Sequence, residues 1–383
     1  MLNDLSISLP EPLAPGLFIH GSISSEASSQ FTKNAKSISD QYHRKMQKQK
    51  ARSYAKTVEE SSSSVEISQY ELITIQNGTN NFSEANKLGI GRFGPVYKGK
   101  LENGLEFVVT WLSKNTVKGG LEFKNEVKLI GRLQHKNLVR LLGYCQEGGE
   151  MILVYEFFSN GNLYGFLFDP VKCGYLNWGR RYKIIEGIAK GLVYLHEDSR
   201  LRIVHCDVKA SNILLDADLN PKIADFGIAL LFTLDKPHCG DHVSRYVAPE
   251  YISTSELSVK CDVYSFGVLV LEIISGQKWF NLRNEESTEH FSSYAWKQWT
   301  KGTSSNVIDP MLRGISSPVD DIIKCIQVAL LCVQEKVEDR PTMGEVLQML
   351  SNLSMSLPIP SIPLYFSDSN VSSDDLEASF NKW

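Results

Sequence analysis

The sequence predicts a two-lobed α+β protein: a small antiparallel sheet carrying one helix, then a larger and mainly helical lobe. Short β-rich runs at 88–98, 105–112 and 151–157 surround a helical pattern at 121–133. After Gly161 the apolar spacing turns helical, over 178–195, 260–275 and 320–333. Polar ends bracket both lobes, so an active cleft is expected between two folded bodies in mid-chain.

Taken in order, residues 1–43 read as disordered and 44–81 as a basic linker. Ser, Asn, Gln and Lys dominate 21–64, too polar to repay the entropy of folding. Arg44, Lys45, Lys48, Lys50, Arg52 and Lys56 occur with no acid among them. They form either a solvated linker or a juxtamembrane patch for an anionic leaflet, worth roughly 1 kcal/mol per basic residue there. The small lobe and its hinge occupy 82–158 and the large lobe 159–353; a Pro- and Ser-rich tail, read as disordered, fills 354–383.

The 383 residues can bury a sizeable core, and 42% hydrophobic with 22% charged residues is ordinary globular composition. A net charge of −4 gives no expectation of a nucleic-acid partner. The 7 cysteines are scattered with no C-x-x-C spacing, which argues against a disulfide framework or zinc site and for a reducing compartment. The longest apolar run, 266–274, is too short to cross a bilayer, and the N-terminus has no signal-peptide pattern. The chain is expected in the cytoplasm, with 44–56 offering contact with the cytosolic face of the plasma membrane.

Chemistry is carried by an ordered series. Gly89-Ile90-Gly91-Arg92-Phe93-Gly94-Pro95-Val96 is a glycine-rich loop between strands, suited to closing over phosphates through backbone N–H groups. His205-Cys206-Asp207-Val208-Lys209-Ala210-Ser211-Asn212 follows, then Asp225-Phe226-Gly227 and Ala248-Pro249-Glu250. Asp262 and Arg340-Pro341 close the series. Alone the glycines would be weak; in this order and spacing the set resembles the protein kinase family. The resemblance implies the bilobal protein kinase fold.

It narrows further. N-N-F-S-E-A-N-K-L-G at 80–89, P-V-Y-K-G at 95–99, F-K-N-E-V at 123–127 and L-V-R-L-L-G-Y-C at 138–145 look like plant receptor-like kinases. S-Y-A-W-K at 293–297 and L-L-C-V-Q-E at 330–335 agree, and the group most resembled is the cysteine-rich receptor-like kinases. The match covers about residues 66–366 and includes no cysteine-rich ectodomain.

By that resemblance Asp207 would accept the proton of a substrate hydroxyl, and Lys209 would neutralise charge on the moving phosphoryl group. Asn212 and Asp225 would hold Mg²⁺, which hard oxygens suit. Gly89, Gly91 and Gly94 would cover the phosphates of ATP, Val96, Val108 and Leu214 would enclose adenine, and Glu156 and Phe158 would line the hinge after Tyr155. Glu250 would pair with buried Arg340, Asp262 would serve structure, and Glu126 would face the strand lysine from the small-lobe helix. The Asp-x-Lys form resembles the Ser/Thr-specific type.

Four departures fall on catalysis. The V-A-I-K strand reads Phe107-Val108-Val109-Thr110, so Thr110 stands where the family has its lysine. A charge contact at ~4 Å is worth about 4 kcal/mol at an effective dielectric of 20. Losing ~2–4 kcal/mol in the transition state slows transfer roughly 30- to 1000-fold. Val108 replaces a small alanine, Cys206 replaces the arginine of H-R-D, and 242–246 departs from G-T-x-G-Y. Neither Lys98, Lys100 nor Lys114 is expected to take the inward position, and Arg92 is a remote substitute.

Two functions follow. One is a receptor-like Ser/Thr kinase domain that uses Mg²⁺ and ATP on a protein substrate with impaired activity; the other is a pseudokinase lending its surface to an active receptor kinase. Residues 1–18 also repeat 349–366 without gaps, at ten of eighteen positions. Leu, Ser and Pro bias inflates such a match; the alternative is the tail of a second, similar kinase joined to this one, in the cell or in the gene assignment, with a preceding ectodomain and span lost from view.

Overall fold

The computed structural model describes residues 67–362 except 92–93, 113–116, 232–245, 255–256, 279–290, 314–317 and 353. Strand β1 (Ser68–Gln69) and helix α1 (Leu72–Gly78) come first, followed by β2 (Lys87–Ile90), β3 (Pro95–Lys100) and β4 (Glu106–Leu112). Helix α2 (Val117–Ile130) precedes β5 (Leu141–Glu147) and β6 (Glu150–Glu156). The six strands form one sheet in the order β1-β5-β6-β4-β3-β2. Alternation along β4 divides its faces. Phe107 and Val109 enter an apolar cluster with Tyr97, Ile152, Val154 and Cys145, while Val108 and Thr110 turn to the other side.

The linker boundary needs correction. Residues 67–81 contain β1 and α1, and Ile75 on α1 is 1% exposed within the same cluster. β1 pairs in parallel with β5, so the sheet is mixed rather than purely antiparallel, and Tyr70 N–H donates to Tyr144 O at 2.8 Å. Glu147 accepts the Leu72 N–H at 2.8 Å, satisfying one of the donors at the start of α1. A polar composition concealed one well-placed isoleucine. β5 is not evident from the sequence pattern, and the run at 88–98 divides into β2 and β3.

The large lobe starts with α3 (Leu163–Leu167) and α4 (Trp178–Val193), then β7 (Ile203–Val204), β8 (Ile213–Leu215), β9 (Pro221–Ile223) and β10 (Leu230–Leu231). Helices α5 (Pro249–Thr254), α6 (Val259–Ser275), α7 (Phe291–Thr300), α8 (Val319–Cys332) and α9 (Met343–Ser351) complete it. α6 is buried along nearly its whole length and stops at Gly276, whose φ of 64° is left-handed; a Cβ there would lie 2.4 Å from Asp309 Oδ2. Buried Arg181 reaches that same oxygen at 2.6 Å. Arg340, 1% exposed, grips both carboxylate oxygens of Glu250 at 2.8 Å, the bidentate form in which a buried guanidinium is best compensated.

The C-terminal boundary shifts too. Residues 354–362 lie along the lobe, with Pro360 buried and its carbonyl bonded to the Trp296 indole N–H. Six described cysteines are free of disulfides, and no described helix is long and apolar enough to cross a membrane.

Ile75→Ala should cost about 2–5 kcal/mol of stability, the usual range for emptying a buried isoleucine site. Urea unfolding of the full chain measures it; a loss under ~0.5 kcal/mol would mean that α1 is dispensable.

Candidate active site

The loop between β7 and β8 gathers the charged series. Lys209 Nζ lies 2.7 Å from Asp207 Oδ2, and the Asn212 side-chain amide donates to Asp207 O and Oδ2, both at 2.9 Å. Asp207 N–H donates to His205 Nδ1 at 3.2 Å, and the Asp207 residue is only 6% exposed. Because Asn212 spends its NH₂ group on Asp207, its carbonyl oxygen remains the end suited to a hard cation.

Asp262 holds this loop in shape. Its Oδ2 accepts His205 N–H at 2.7 Å and meets His196 Nε2 at 2.8 Å, while its Oδ1 accepts Cys206 N–H at 2.8 Å. Cys206 has φ 68°, a left-handed conformation that side chains disfavour, and the paired amides fix it there. Asp262 is fully buried in the first turn of α6, where the helix dipole favours a carboxylate. His196 comes from a π turn, Tyr194–Asp198, following α4.

Asp225 takes the same unusual conformation, with φ 71°. The next residue, Phe226, is fully buried with its ring edge-on to His205, centroids 4.7 Å apart. Asn125 on α2 donates its side-chain amide to the carbonyls of Phe226, Gly227 and Ala229, at 3.2, 3.1 and 2.7 Å. Sequence alone gives Asn125 no role; the F-K-N-E-V tract at 123–127 is its one signal.

Its neighbour Glu126 carries the consequence of Thr110. Thr110 stands opposite Val96 on β3 and Leu153 on β6, so it shares a face with Val108 and Tyr155. Tyr155 donates its hydroxyl to Glu126 Oε1 at 2.5 Å, while Oε2 has no hydrogen-bond partner among the described residues. Complete burial, then the nearby Asp225 charge, push the Glu126 carboxyl up to about 8. The same burial and Glu126 itself raise the Tyr155 phenol well above its usual range. A neutral phenol thus reaches the carboxyl that the family pairs with an ammonium.

Among candidate replacement lysines, Lys98 stands opposite Val108, so it does share the inward face, contrary to expectation. Its Nζ is held at the hinge end, 2.7 Å from Glu106 and 4.0 Å from the Phe157 ring centroid. Lys100 is exposed at the far end of β3; Lys114, Arg92 and the 242–245 stretch lie outside the described residues.

The remaining predicted residues lie on several elements. Gly91 N–H donates to Gly94 O at 2.8 Å, and a Cβ on Gly94 (φ 150°) would fall 2.4 Å from Trp111 O. Gly89 stands opposite Val96 in the β2–β3 ladder, which ends one residue later at Ile90 and Pro95, and Leu214 lies in β8 opposite Lys222 and bridged to Asn162. Glu156 closes β6, its carboxylate accepting Arg140 N–H at 2.9 Å, and Phe158 O accepts Gly161 N–H at 3.2 Å. Hard oxygens at Asn212 and Asp225 fit a magnesium ion, whereas Thr110 offers a neutral hydroxyl where the family has an ammonium.

A family model described as a protein kinase domain matches residues 82–350. Over 315 residues the chain is 49% identical to cysteine-rich receptor-like protein kinase 10 of Arabidopsis thaliana, covering 81% of this chain and 47% of that one. Cysteine-rich receptor-like protein kinase 26 from the same plant is 48% identical over 81% of this chain and 48% of its own length. The putative cysteine-rich receptor-like protein kinase 20 is 50% identical, over 78% and 45%. The chain therefore spans about half the length of the curated relatives it matches.

The folded state holds a proton on Glu126 more tightly than the unfolded chain, whose carboxyl titrates near 4.5. That stabilisation is complete below this value and lost as pH rises toward 8. From about pH 6 to about pH 8.5 the melting temperature should fall more steeply in the native chain than in Glu126→Gln. Parallel melting curves would mean that Glu126 is ionised throughout.

Proposed function

The chain belongs to the protein kinase family, and from that premise we propose that it is a receptor-like Ser/Thr kinase domain that binds Mg-ATP and transfers phosphate weakly. The observation that carries this reading is the contrast between two clusters. The Asp207–Lys209–Asn212 network is complete, whereas Glu126 is bonded to Tyr155 in place of a lysine.

Asp207 orients a substrate serine or threonine hydroxyl and takes its proton as the oxygen attacks the γ-phosphorus of ATP; the bond to the β–γ bridging oxygen breaks and ADP leaves. Lys209, already 2.7 Å from Asp207, lies close enough to share the charge of the moving phosphoryl group. Asn212 and Asp225 would hold Mg²⁺, which when bound supplies charge neutralisation across the phosphates. Glu250 and Arg340 brace the large lobe rather than touch the reactants. At Thr110 a hydroxyl replaces a cation, and the roughly 30- to 1000-fold slowing follows from ~2–4 kcal/mol of lost transition-state stabilisation.

A second reading, a pseudokinase acting as a binding module for an active receptor kinase, has its own support. Tyr155 and Asn125 tie α2 to the rest of the fold without any phosphate contact, so the kinase-like surface persists without turnover. In either case the family suggests action at the cytosolic face of the plasma membrane. The basic segment 44–56, outside the described residues, is the proposed contact.

Single-turnover phosphorylation by the native chain, Thr110→Lys and Asp207→Ala separates the readings. Weak native transfer, raised at least about tenfold by Thr110→Lys and abolished by Asp207→Ala, is the expected result. Native transfer equal to the Asp207→Ala background, with Thr110→Lys equally silent, favours the binding module. Mg-ATP should raise the melting temperature in both readings; no shift at millimolar nucleotide removes ATP from both.

A further inference from the structure

Part of the stretch that 1–18 repeats, within 349–366, is docked on the large lobe. Residues 357–361 cross the surface of α7 and α8 in extended form. The Trp296 indole N–H donates to Pro360 O at 3.1 Å, and the Gln327 side-chain amide donates to Pro358 O at 2.8 Å and more distantly to Leu357 O at 3.5 Å. Ser361 N–H donates in turn to Gln334 Oε1 at 3.0 Å. Every one of these bonds ends on the main chain of the tail. Only Pro360 is buried and Leu357 half-buried; Pro358, Ile359, Ser361 and Ile362 are exposed. Two prolines preset the extended backbone, so little freedom is lost on docking.

Aligning residues 1–18 on 349–366 puts Leu9, Pro10, Glu11, Pro12 and Leu13 on Leu357, Pro358, Ile359, Pro360 and Ser361. The inward residues are the same in both copies. The three bonded carbonyls fall on identical residues, and the bonded N–H falls on Leu13, which has one to give. The differences fall where the tail faces solvent: Glu11 replaces Ile359, itself 58% exposed, and Leu13 replaces exposed Ser361. A groove that reads carbonyls, one N–H and two inward side chains meets the same ligand twice.

We propose that the groove of Trp296, Gln327 and Gln334 is a peptide-binding site for an extended L-P-x-P strand, and that segment 9–13 is its second ligand, in competition with the chain's own tail. Each chain then carries two strands for one groove. The strand left over is free to enter the same groove on another copy.

The test uses the full chain carrying Leu9→Asp, Pro12→Asp, Leu357→Asp and Pro360→Asp, which vacate the groove, and a fluorescein-labelled synthetic peptide of residues 1–18. Saturable binding to the vacated chain is expected, at least about tenfold weaker to the native chain, where the tethered tail competes at high effective concentration. Adding Trp296→Phe to the vacated chain should weaken binding about fivefold, the effect of losing one hydrogen bond. No saturable binding at millimolar peptide, or affinity indifferent to Trp296, overturns the proposal. A second measurement needs only Pro360→Asp: hydrogen exchange across 9–18 should slow relative to the native chain, and unchanged exchange overturns it as well.

Discussion

Two carboxylate oxygens on one buried side chain set the geometry on which the large lobe depends. Asp262 accepts amides from His205 and Cys206, and this anchorage keeps Cys206 left-handed and points Asp207 toward Lys209 and Asn212. Without it the backbone would relax to a cheaper conformation and the charged pair would lose its frame. A buried carboxylate is costly unless its lone pairs are filled; here two amides, an imidazole and a helix N-terminus share that task. The anchoring bond comes from the Cys206 amide rather than its side chain, so it does not depend on the arginine that the family has there.

The small lobe solves a different problem with weaker means. Its helix must be kept against the sheet although the lysine that would grip Glu126 is absent. Tyr155 supplies a hydroxyl from the sheet, and Asn125, one position before Glu126, fastens the helix to three carbonyls beyond Asp225. Neither contact carries net charge. On the small-lobe side, helix and sheet are therefore kept together by neutral hydrogen bonds, whereas phosphate transfer asks for a cation at one defined place. Fold and chemistry draw on different interactions, and at Thr110 they separate.

The legible parts of the sequence were those whose partners lie close in the chain or belong to a marked motif. Asp207, Lys209 and Asn212 lie within six residues, and their bonds are to one another. Asn125 was not legible, because its partners lie about a hundred residues away and are carbonyls, which any residue provides. Tyr155 could be placed before the hinge but not matched to Glu126, since the pairing depends on which face of β6 turns toward α2. The start of the fold was misread for a thermodynamic reason. The polar composition of 21–64 says little about 67–81, where one isoleucine and a two-strand pairing do the anchoring.

That anchoring strand also changes what counts as a separable piece. The family match opens at residue 82, yet β1 lies outside β5 and closes that side of the sheet. A fragment begun at the family boundary would leave β5 as a bare edge, its N–H and C=O groups open to any other strand, beside the hollow vacated by Ile75. Fifteen residues that look like connector thus act as the selvedge of the sheet, keeping the woven lobe from joining its neighbours.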